Sequence, residues 1–265
     1  MITKKTTAES EQWSHDQNKL TYTVREKISE TADVVTLRLA LQNKLATVPP
    51  FIPGQFITVY FPELGTPEGK AYSISSTPSE TTLAITVKAM GEFSCRLSSL
   101  AVGDALTASL PYGYFYTESE DTDLIMLAGG IGVAPFRSMI CDVLTITAEQ
   151  NSPQSIRHIT LLYSVRTVAD IIFKKEFDNL QKKYKNFHVT YFITREKNIP
   201  LEMVGERIDG ENIKNILKKN SAQSEVNITE FLLCGSISFT RDMWHTLRLL
   251  NTPEENILTE AFFSH

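Results

Sequence analysis

The chain has 265 residues, of which 42% are hydrophobic and 22% are charged, and its formal net charge is −5. This composition is typical of a globular protein, and the length predicts two compact domains. A nucleic-acid-binding protein normally carries a basic surplus or a basic stripe. The slightly acidic balance therefore predicts no nucleic-acid partner.

The three cysteines, Cys95, Cys141 and Cys234, are scattered along the chain. Their spacing fits neither a disulfide framework nor a zinc site or an iron–sulfur cluster. The five histidines are scattered as well, so we predict no metal site. The first 18 residues are polar and lack the apolar core of a secretory signal, and no segment has the length of a membrane span. These features predict a cytoplasmic protein with a flexible N-terminal tail at residues 1–18.

The first half of the chain after this tail consists of short runs of alternating hydrophobicity, which Pro, Gly and Asp turns separate. The runs are KLTYTVREKI, VVTLRLAL, QFITVYF, KAYSISS, TLAITVKAM and ALTASL. Such a pattern is typical of an antiparallel barrel or sandwich. We predict that this domain spans residues 19–118.

After an acidic joint at residues 118–123, apolar strands alternate with amphipathic helices. The strands are LIMLAG, ITLLYS, FHVTYFI and EFLLCG, and a helical pattern follows each of them. This alternation predicts a parallel sheet covered by helices on both faces, over residues 122–265. Sheets of this kind bind ligands at the carboxyl ends of their strands.

A glycine cluster follows the first of these strands, in the stretch LAGGIGVAPFRSM. Gly129, Gly130 and Gly132 leave the backbone free to turn and to approach a ligand, while Pro135 fits the first turn of a helix. The N-terminus of that helix offers N–H groups to a pyrophosphate. The spacing matches neither a P-loop nor GxGxxG, so a tight turn without a ligand stays the alternative.

Ten short motifs, in this order, resemble the ferredoxin–NADP reductase family. They are PGQF, KAYSISS, GEFS, VGD, PYGYF, AGGIGVAP, LLYSVRT, ITRE, LLCG and TEAFF, and they cover nearly the whole chain after the tail. The resemblance implies a six-stranded, antiparallel Greek-key flavin-binding barrel followed by a Rossmann-like nucleotide-binding domain. It is closest to the oxygenase and flavodoxin reductases of the family, without an iron–sulfur domain.

The resemblance implies that the barrel binds FAD. Tyr72 would pack against the flavin ring, Ser73 would offer a hydroxyl near flavin N5, and Lys70 would bind the cofactor phosphate. The family usually has Arg where this chain has Lys70. Because lysine lacks the planar fork of arginine, the choice between FAD and FMN stays open at this position, although the aromatic PYGYF turn favours FAD. The other implied contacts are Ala71, Val87, Gly91, Phe93, Ser94 and Tyr112.

The resemblance also places a nicotinamide dinucleotide over the glycine cluster, with Cys234 and Gly235 near the nicotinamide ring. A purely structural buried thiol is the alternative for Cys234. Four residues, a serine and three arginines, resemble the set that NADPH-using bacterial reductases of the family present to the 2′-phosphate. They favour NADPH as the electron donor, and NADH stays the alternative. The set is Ser164, Arg166, Arg195 and Arg207.

The closing segment TEAFF resembles the last strand of the family, which lies near the flavin. By this resemblance Glu260 would be a proton-handling neighbour of the flavin, and Phe262 or Phe263 would cover the flavin face. Together with Ser73 and Cys234, Glu260 is assigned to the catalytic centre. A core strand with packed phenylalanines is the alternative.

These implications predict a flavin-dependent NAD(P)H oxidoreductase. It would pass a hydride from NADPH to FAD N5 and then deliver single electrons to a separate acceptor. Ferredoxin, flavodoxin, a cytochrome, a ferric chelate and free flavin stay open as acceptors. The second hypothesis is a non-catalytic electron-transfer or nucleotide-sensing subunit of a larger redox complex, because fold alone does not separate the two.

Overall fold

The chain folds as two sheets, each with its own helices. The computed structural model describes residues 19–42, 48–119, 122–150, 157–221 and 229–262. The N-terminal tail predicted at residues 1–18 lies outside these ranges. The domain bounds at residues 19–118 and 122–265 stay a prediction, although the two sheets lie within them.

The first six strands form an antiparallel barrel. They are β1 (Lys19–Ser29), β2 (Val34–Leu41), β3 (Phe56–Tyr60), β4 (Lys70–Ser73), β5 (Leu83–Lys88) and β6 (Ala105–Ser109). Their order is β4-β3-β6-β1-β2-β5, and a bridge between Ile74 and Ile85 joins the two outer strands. Closure removes the free sheet edges. The predicted six-stranded barrel is confirmed, and helix α1 (Glu92–Ser99) packs against it through the buried Phe93 and Leu97.

The second sheet is parallel throughout, as predicted. Its strands are β7 (Asp123–Gly129), β8 (Ile159–Val165), β9 (Phe187–Ile193), β10 (Thr229–Ser236) and β11 (Ile257–Phe262), and its helices are α2 (Val133–Gln150), α3 (Lys174–Lys183), α4 (Gly210–Ser221) and α5 (Ile237–Leu249). The order β11-β10-β7-β8-β9 reverses direction between β7 and β10. A crevice for a ligand forms at such a switch point, at the carboxyl ends of the strands.

Both faces of this sheet are buried, because successive side chains along each strand point to opposite faces and are apolar on both. In β7, Met126 and Ala128 face one core cluster, whereas Ile125 and Leu127 face the other. Phe115, from the segment after the barrel, packs into the first of these clusters. The barrel therefore sits against that face of the parallel sheet.

The predicted PGQF and PYGYF motifs meet where the barrel contacts the second domain. Gly54 has a φ of +102°, and a Cβ atom there would lie 1.9 Å from the Phe115 carbonyl oxygen. Only glycine fits this left-handed and crowded position. Phe115 in turn packs against Phe136 of α2, with 5.9 Å between the ring centroids.

Arg137 of α2 ties the two domains together. Its guanidinium donates to both carboxylate oxygens of Glu176 on α3, at 2.7 and 2.8 Å. It also donates to two groups of the barrel, the Glu80 carboxylate at 3.1 Å and the Ser75 carbonyl oxygen at 2.5 Å. Burial alone would raise the pKa of Glu80, but Arg137 and Arg38 hold that pKa below its ordinary value. The orientation of the domains thus depends on a largely buried ion-pair network.

Within the described ranges, no helix is both long and apolar enough to cross a membrane. The same ranges contain no cluster of three His, Cys, Asp or Glu side chains that would hold a metal ion.

Candidate active site

The two domains bring Ser73 and Glu260 into contact, although 187 positions separate them in the chain. Ser73 ends β4 of the barrel, and its hydroxyl donates to Glu260 Oε2 at 3.1 Å. Glu260 lies in β11, directly opposite Cys234 of β10 in the parallel register. The structure therefore brings together the three residues that the resemblance assigns to the catalytic centre.

Burial changes the proton affinity of this group of residues. It raises the pKa of Glu260 to about 7, although the hydrogen bond from Ser73 opposes the shift. Burial and the neighbouring Glu260 both raise the pKa of the Cys234 thiol. Near neutral pH, Glu260 can therefore hold or release a proton, whereas Cys234 stays a neutral thiol.

This pKa gives a testable pH dependence of stability. A carboxyl whose pKa is raised in the folded protein costs stability as the pH rises from its unfolded-state value, about 4.3, to its folded-state value. Replacing Glu260 with Gln, which keeps an acceptor for Ser73, is therefore expected to increase the free energy of unfolding, with a gain that grows by about 2 kcal/mol between pH 5 and pH 8. Chemical denaturation at both pH values measures it.

The exposed Glu255→Gln serves as the control for this prediction, since no comparable gain is expected there. A Glu260→Gln effect that does not change with pH would contradict the raised pKa of Glu260.

Cys234 lies in the core below the Ser73–Glu260 contact. Its side chain is completely buried in the core cluster that also contains Ala128. A Cβ atom on Gly132 would lie 2.2 Å from the Cys234 carbonyl oxygen, so the glycine cluster presses against β10 at the switch point. The structure explains the glycine at position 132, and it presents the backbone rather than the thiol of Cys234 to this turn.

On the barrel, an aromatic shelf lies beside the end of β4. The rings of Tyr72 and Phe93 stack with their planes 19° apart and their centroids 6.4 Å apart, and Lys70 Nζ lies 5.6 Å from the Phe93 centroid. Burial raises the pKa of Tyr72, so its phenol stays neutral. A flat apolar surface with an adjacent cation fits a flavin ring and a cofactor phosphate. Phe93 is itself buried and supports Tyr72 from below.

The remaining residues predicted on the barrel differ in their accessibility. Ala71 and Gly91 are exposed, and Gly91 precedes the first turn of α1. The Ser94 hydroxyl accepts the N–H groups of Met90 and Gly91 at 2.9 and 3.0 Å. The predicted contact of Val87 would be made by its backbone, because its side chain is completely buried in the barrel core. The alternation of β5 points this side chain inward.

The PYGYF turn presents exposed aromatic rings. Tyr112 packs against Phe56, with 4.3 Å between centroids, and its hydroxyl forms a hydrogen bond with Thr58. Tyr112 is 46% exposed, and Tyr114 is 90% exposed. Such rings suit the adenosine part of FAD. Tyr114 was not singled out from the sequence, although it is the second aromatic of the same motif.

A cavity of about 290 Å³ lies at the carboxyl ends of the parallel strands. Gly130 begins the turn after β7 with a φ of +55°, and its missing side chain would meet only open space. Pro135 lies in the first turn of α2, as predicted. Of the predicted residues, the lining of the cavity includes Gly129, Gly130, Ser164, Arg166 and Phe262. Phe263 lies outside the described residues.

The lining also contains residues that the sequence did not indicate. Phe239 of α5 covers the glycines that end β7 and β10, because a Cβ atom on Gly129 or Gly235 would lie 2.8 Å from its ring. The apolar residue four positions after Gly235 was the only available signal for Phe239. The others are Thr31, Asp33, Val34, Lys88, Met90, Ile131, Val165, Asp170, Ile172, Thr194 and Ser236.

Two of the three predicted arginines are neighbours. The backbone N–H of Arg195 donates to the carbonyl oxygen of Arg166 at 2.8 Å, and both side chains are exposed. Arg207 is exposed as well, and of the three arginines only Arg166 is among the residues that line the cavity. The structure thus brings Arg166 and Arg195 together through their backbones, and the role of Arg207 stays a prediction.

The carboxylates beside these arginines are engaged by nearby backbone. Asp170 accepts the backbone N–H and the hydroxyl of Thr167, at 2.9 and 2.8 Å, and Glu196 accepts the N–H of Val168 at 2.8 Å. Neither acid forms an ion pair with an arginine in the part of the chain that the structure describes. The two guanidinium groups therefore keep their charge available for an anion.

The aromatic shelf, the glycine turn and the cavity together fit FAD and a nicotinamide dinucleotide, the two cofactors that the family resemblance implies. Lys70, Tyr72 and the first turn of α1 would hold the FAD. The Gly129–Gly132 turn would hold a pyrophosphate, because it leads into the N-terminus of α2 and no side chain fills the space above Gly130.

Two family models match the chain: "Oxidoreductase FAD-binding domain" over residues 21–116 and "Oxidoreductase NAD-binding domain" over residues 126–244. One component of the Na⁺-translocating NADH-quinone reductase of Serratia proteamaculans is 30% identical, over 65% of this chain and 40% of its own length. One component of the Escherichia coli 1,2-phenylacetyl-CoA epoxidase is 27% identical, over 91% of this chain and 67% of its own length. The chain thus spans between about two fifths and two thirds of these two relatives.

Among solved structures, a ferredoxin NADP⁺ reductase from Neisseria gonorrhoeae with bound FAD and NADP superposes with a TM-score of 0.73. The match covers 93% of this chain and 99% of that one, at 22% identity. This likeness shows the shared fold. Because the two family models together cover most of the chain, it belongs to the oxidoreductases that combine an FAD-binding and an NAD-binding domain, and it has the fold of the ferredoxin–NADP reductases.

Proposed function

We propose that this protein oxidises NADPH with the aid of bound FAD and passes the electrons to a separate acceptor. When bound, FAD supplies the ring that accepts a hydride and releases electrons one at a time. The observation that carries the proposal is the hydrogen bond between Ser73 and Glu260, because it joins the flavin-side strand of the barrel to the last strand of the nucleotide domain.

The chain's own residues bind and orient the two cofactors. The shelf formed by Tyr72 over Phe93 supports the flavin ring, and Lys70 lies beside the shelf for the cofactor phosphate. The glycine turn after β7 and the first turn of α2 receive the dinucleotide. Phe262 lines the same cavity, two positions after Glu260 on β11, and its ring would have to move aside if it covered the reacting face.

Ser73 and Glu260 control protons at the junction of the domains. Glu260 has a pKa of about 7, so it exchanges a proton with little free-energy cost near neutral pH. While Ser73 donates its one hydroxyl proton to Glu260, its oxygen can accept from a flavin N–H; if a protonated Glu260 donates to Ser73 instead, the Ser73 proton is free for a flavin nitrogen. The two side chains therefore form one proton-handling unit.

Arg166 and Arg195 support NADPH as the preferred donor. Their exposed guanidinium groups follow two neighbouring strands, and Ser164 adds a hydroxyl at the end of β8. The 2′-phosphate distinguishes NADPH from NADH and is best held by arginine. A carboxylate that binds the ribose diol would favour NADH, but Asp170 is engaged by Thr167.

The variant Arg166→Ala/Arg195→Ala is expected to weaken NADPH binding about 30-fold to 100-fold and NADH binding less than threefold, since two charge-assisted contacts to the 2′-phosphate are lost. Dissociation constants for both dinucleotides, measured by calorimetry, test this. Arg207→Ala is expected to have a smaller effect, and the exposed Arg25→Ala is the control. An equal loss for NADPH and NADH would contradict the assignment.

The acceptor is proposed only as a class. A ferredoxin or flavodoxin, a cytochrome, a ferric chelate or a small molecule would each take single electrons from a reduced flavin. Two of the relatives are named as parts of larger enzymes, which favours a non-catalytic electron-transfer or nucleotide-sensing subunit of a larger redox complex as the second candidate function. Turnover of an artificial acceptor by the isolated chain would argue against a non-catalytic role. The cytoplasmic location stays a prediction.

A further inference from the structure

A second cavity, of about 600 Å³, lies between the barrel and helix α3. Its barrel wall is formed by β1, β2 and the turn between them, and its other wall by α3, the segment before it and Arg137 of α2. No described residue lines both this cavity and the one at the carboxyl ends of the parallel strands, where the dinucleotide is proposed. Its volume lies within the usual range of small-molecule sites, about 300–1,000 Å³.

A thin wall separates the two cavities. In the segment after β8, Asp170 and Ile172 line the dinucleotide cavity. Ile171 and Phe173, which alternate with them, line the second cavity. Glu30, from the turn between β1 and β2, also lines the second cavity, and its carboxylate accepts the backbone N–H of Phe173. The wall is therefore fixed by a hydrogen bond between the domains.

Phe173 holds the apolar floor of the second cavity in place. Its φ is +59°, in the left-handed region that a bulky residue rarely adopts. Its ring is buried, packs edge-on against Phe177 with 6.0 Å between centroids, and lies 5.4 Å from the Arg137 guanidinium. Such a conformation persists only where the surroundings determine it. The floor is therefore formed before any ligand enters.

Most charged groups of the lining are already engaged. The Thr36 hydroxyl donates to Glu30 at 2.7 Å, and both carboxylate oxygens of Glu176 accept from Arg137. Arg38 forms ion pairs with two carboxylates of the barrel. Charge that is open to a ligand must therefore come from the remaining cations, which lie on α3.

A polar stripe runs along α3 beside the cavity. Lys175, Asn179 and Lys183 follow one another at intervals of four residues, so they share one side of the helix, and all three are exposed. Within the described ranges, neither Lys175 nor Lys183 pairs with a carboxylate, whereas Lys174 pairs with Asp178 at 2.6 Å. Two ammonium groups are therefore open to an anion.

We propose that the second cavity binds a small organic anion with an apolar body and an acidic end. The apolar body would pack against Phe173 and Leu180, and the acidic end would bind the ammonium groups of Lys175 and Lys183. An inorganic anion would leave the floor uncovered, and a neutral molecule would leave the lysines without a partner. Because both domains line the cavity, the ligand would bind across their junction.

The test uses naphthalenesulfonate as the probe, with calorimetry on protein that is supplied with saturating FAD and NADP⁺. We expect one molecule to bind per chain, about tenfold or more tightly than either sulfate or naphthalenemethanol, each of which lacks one half of the probe. Lys175→Gln/Lys183→Gln is expected to weaken probe binding about fivefold to tenfold. Asn179→Trp should weaken it at least as much, because the ring would fill the cavity from an exposed position.

The matched control is Lys182→Gln/Lys185→Gln, which removes the same charge from exposed residues that are not among those lining the cavity. It should bind the probe within about twofold of the wild type. The proposal would be overturned by absent probe binding, by an equal loss in the control, or by displacement of the probe by NADP⁺, which would place it in the dinucleotide cavity. Wild-type protein that binds neither FAD nor NADP⁺ would contradict the proposed function, whereas the comparison of variants would still decide the second site.

Discussion

Replacing Arg137 with Met is expected to lower the free energy of unfolding by about 3–5 kcal/mol. Arg137 is only 9% exposed and binds Glu176 through two hydrogen bonds. It also binds the barrel through Glu80 and the Ser75 carbonyl oxygen. A methionine fills a similar volume, but it leaves the carboxylates of Glu80 and Glu176 short of a positive partner, and breaking a buried ion pair from one side is strongly destabilising.

Chemical denaturation at pH 7 measures this loss. The control is Arg241→Met, whose side chain is 63% exposed and, among the described residues, pairs with the adjacent Asp242, so a change of about 0.5 kcal/mol or less is expected. The double variant Arg137→Met/Glu176→Gln should recover part of the loss, because it removes one unpaired carboxylate. A single-variant loss no larger than that of Arg241→Met would show that the network does not hold the domains together.

Replacing Ser73 with Ala is expected to slow the reduction of bound flavin by NADPH about tenfold to hundredfold. The hydroxyl is the one contact described between the end of β4 and Glu260, and it is proposed to reach a flavin nitrogen. FAD should stay bound, because Tyr72 and Lys70 remain in place. Since the Ser73 hydrogen bond lowers the pKa of Glu260, its loss should raise that pKa further above 7.

Stopped-flow absorbance across pH 6–9 measures both effects at once. The expected result is a slower reduction whose pH inflection lies above that of the wild type. Ser99→Ala is the control, because Ser99 is exposed and its hydroxyl bonds only within α1. Unchanged reduction kinetics, or an unchanged inflection with a slower rate, would refute the joint role of Ser73 and Glu260.

Local patterns predicted an antiparallel domain followed by a parallel one, whereas a barrel rather than a sandwich was expected only through the family resemblance. Period-2 alternation predicted the barrel strands, and the change to apolar strands with amphipathic helices predicted the parallel sheet. The glycine cluster at Gly129–Gly132 also follows local rules, since a positive φ and close backbone approach both demand glycine. The strand and helix patterns and the positive φ of Gly130 depend on the local chain, so the sequence reveals them, whereas the close approach of Gly132 is to Cys234 on β10.

Contacts between the domains were not predictable in this way. The Ser73–Glu260 bond joins residues 187 positions apart and was expected only through the family resemblance. The Arg137 network has no local signature, and the position of Phe239 over the glycines had only a weak one, an apolar residue four positions after Gly235. The sequence also did not show that the side chain of Val87 faces inward, which leaves its backbone for the predicted cofactor contact.

The most direct test of the proposed function is an anaerobic absorbance spectrum of the purified protein supplied with FAD, recorded before and after NADPH and, in a separate sample, NADH. We expect an oxidised flavin band that bleaches faster with NADPH than with NADH, because Arg166 and Arg195 are available to the 2′-phosphate. A protein that retains no flavin after incubation with FAD, or a bound flavin that neither dinucleotide reduces, would contradict the assignment of this chain as an NADPH-dependent flavoprotein reductase.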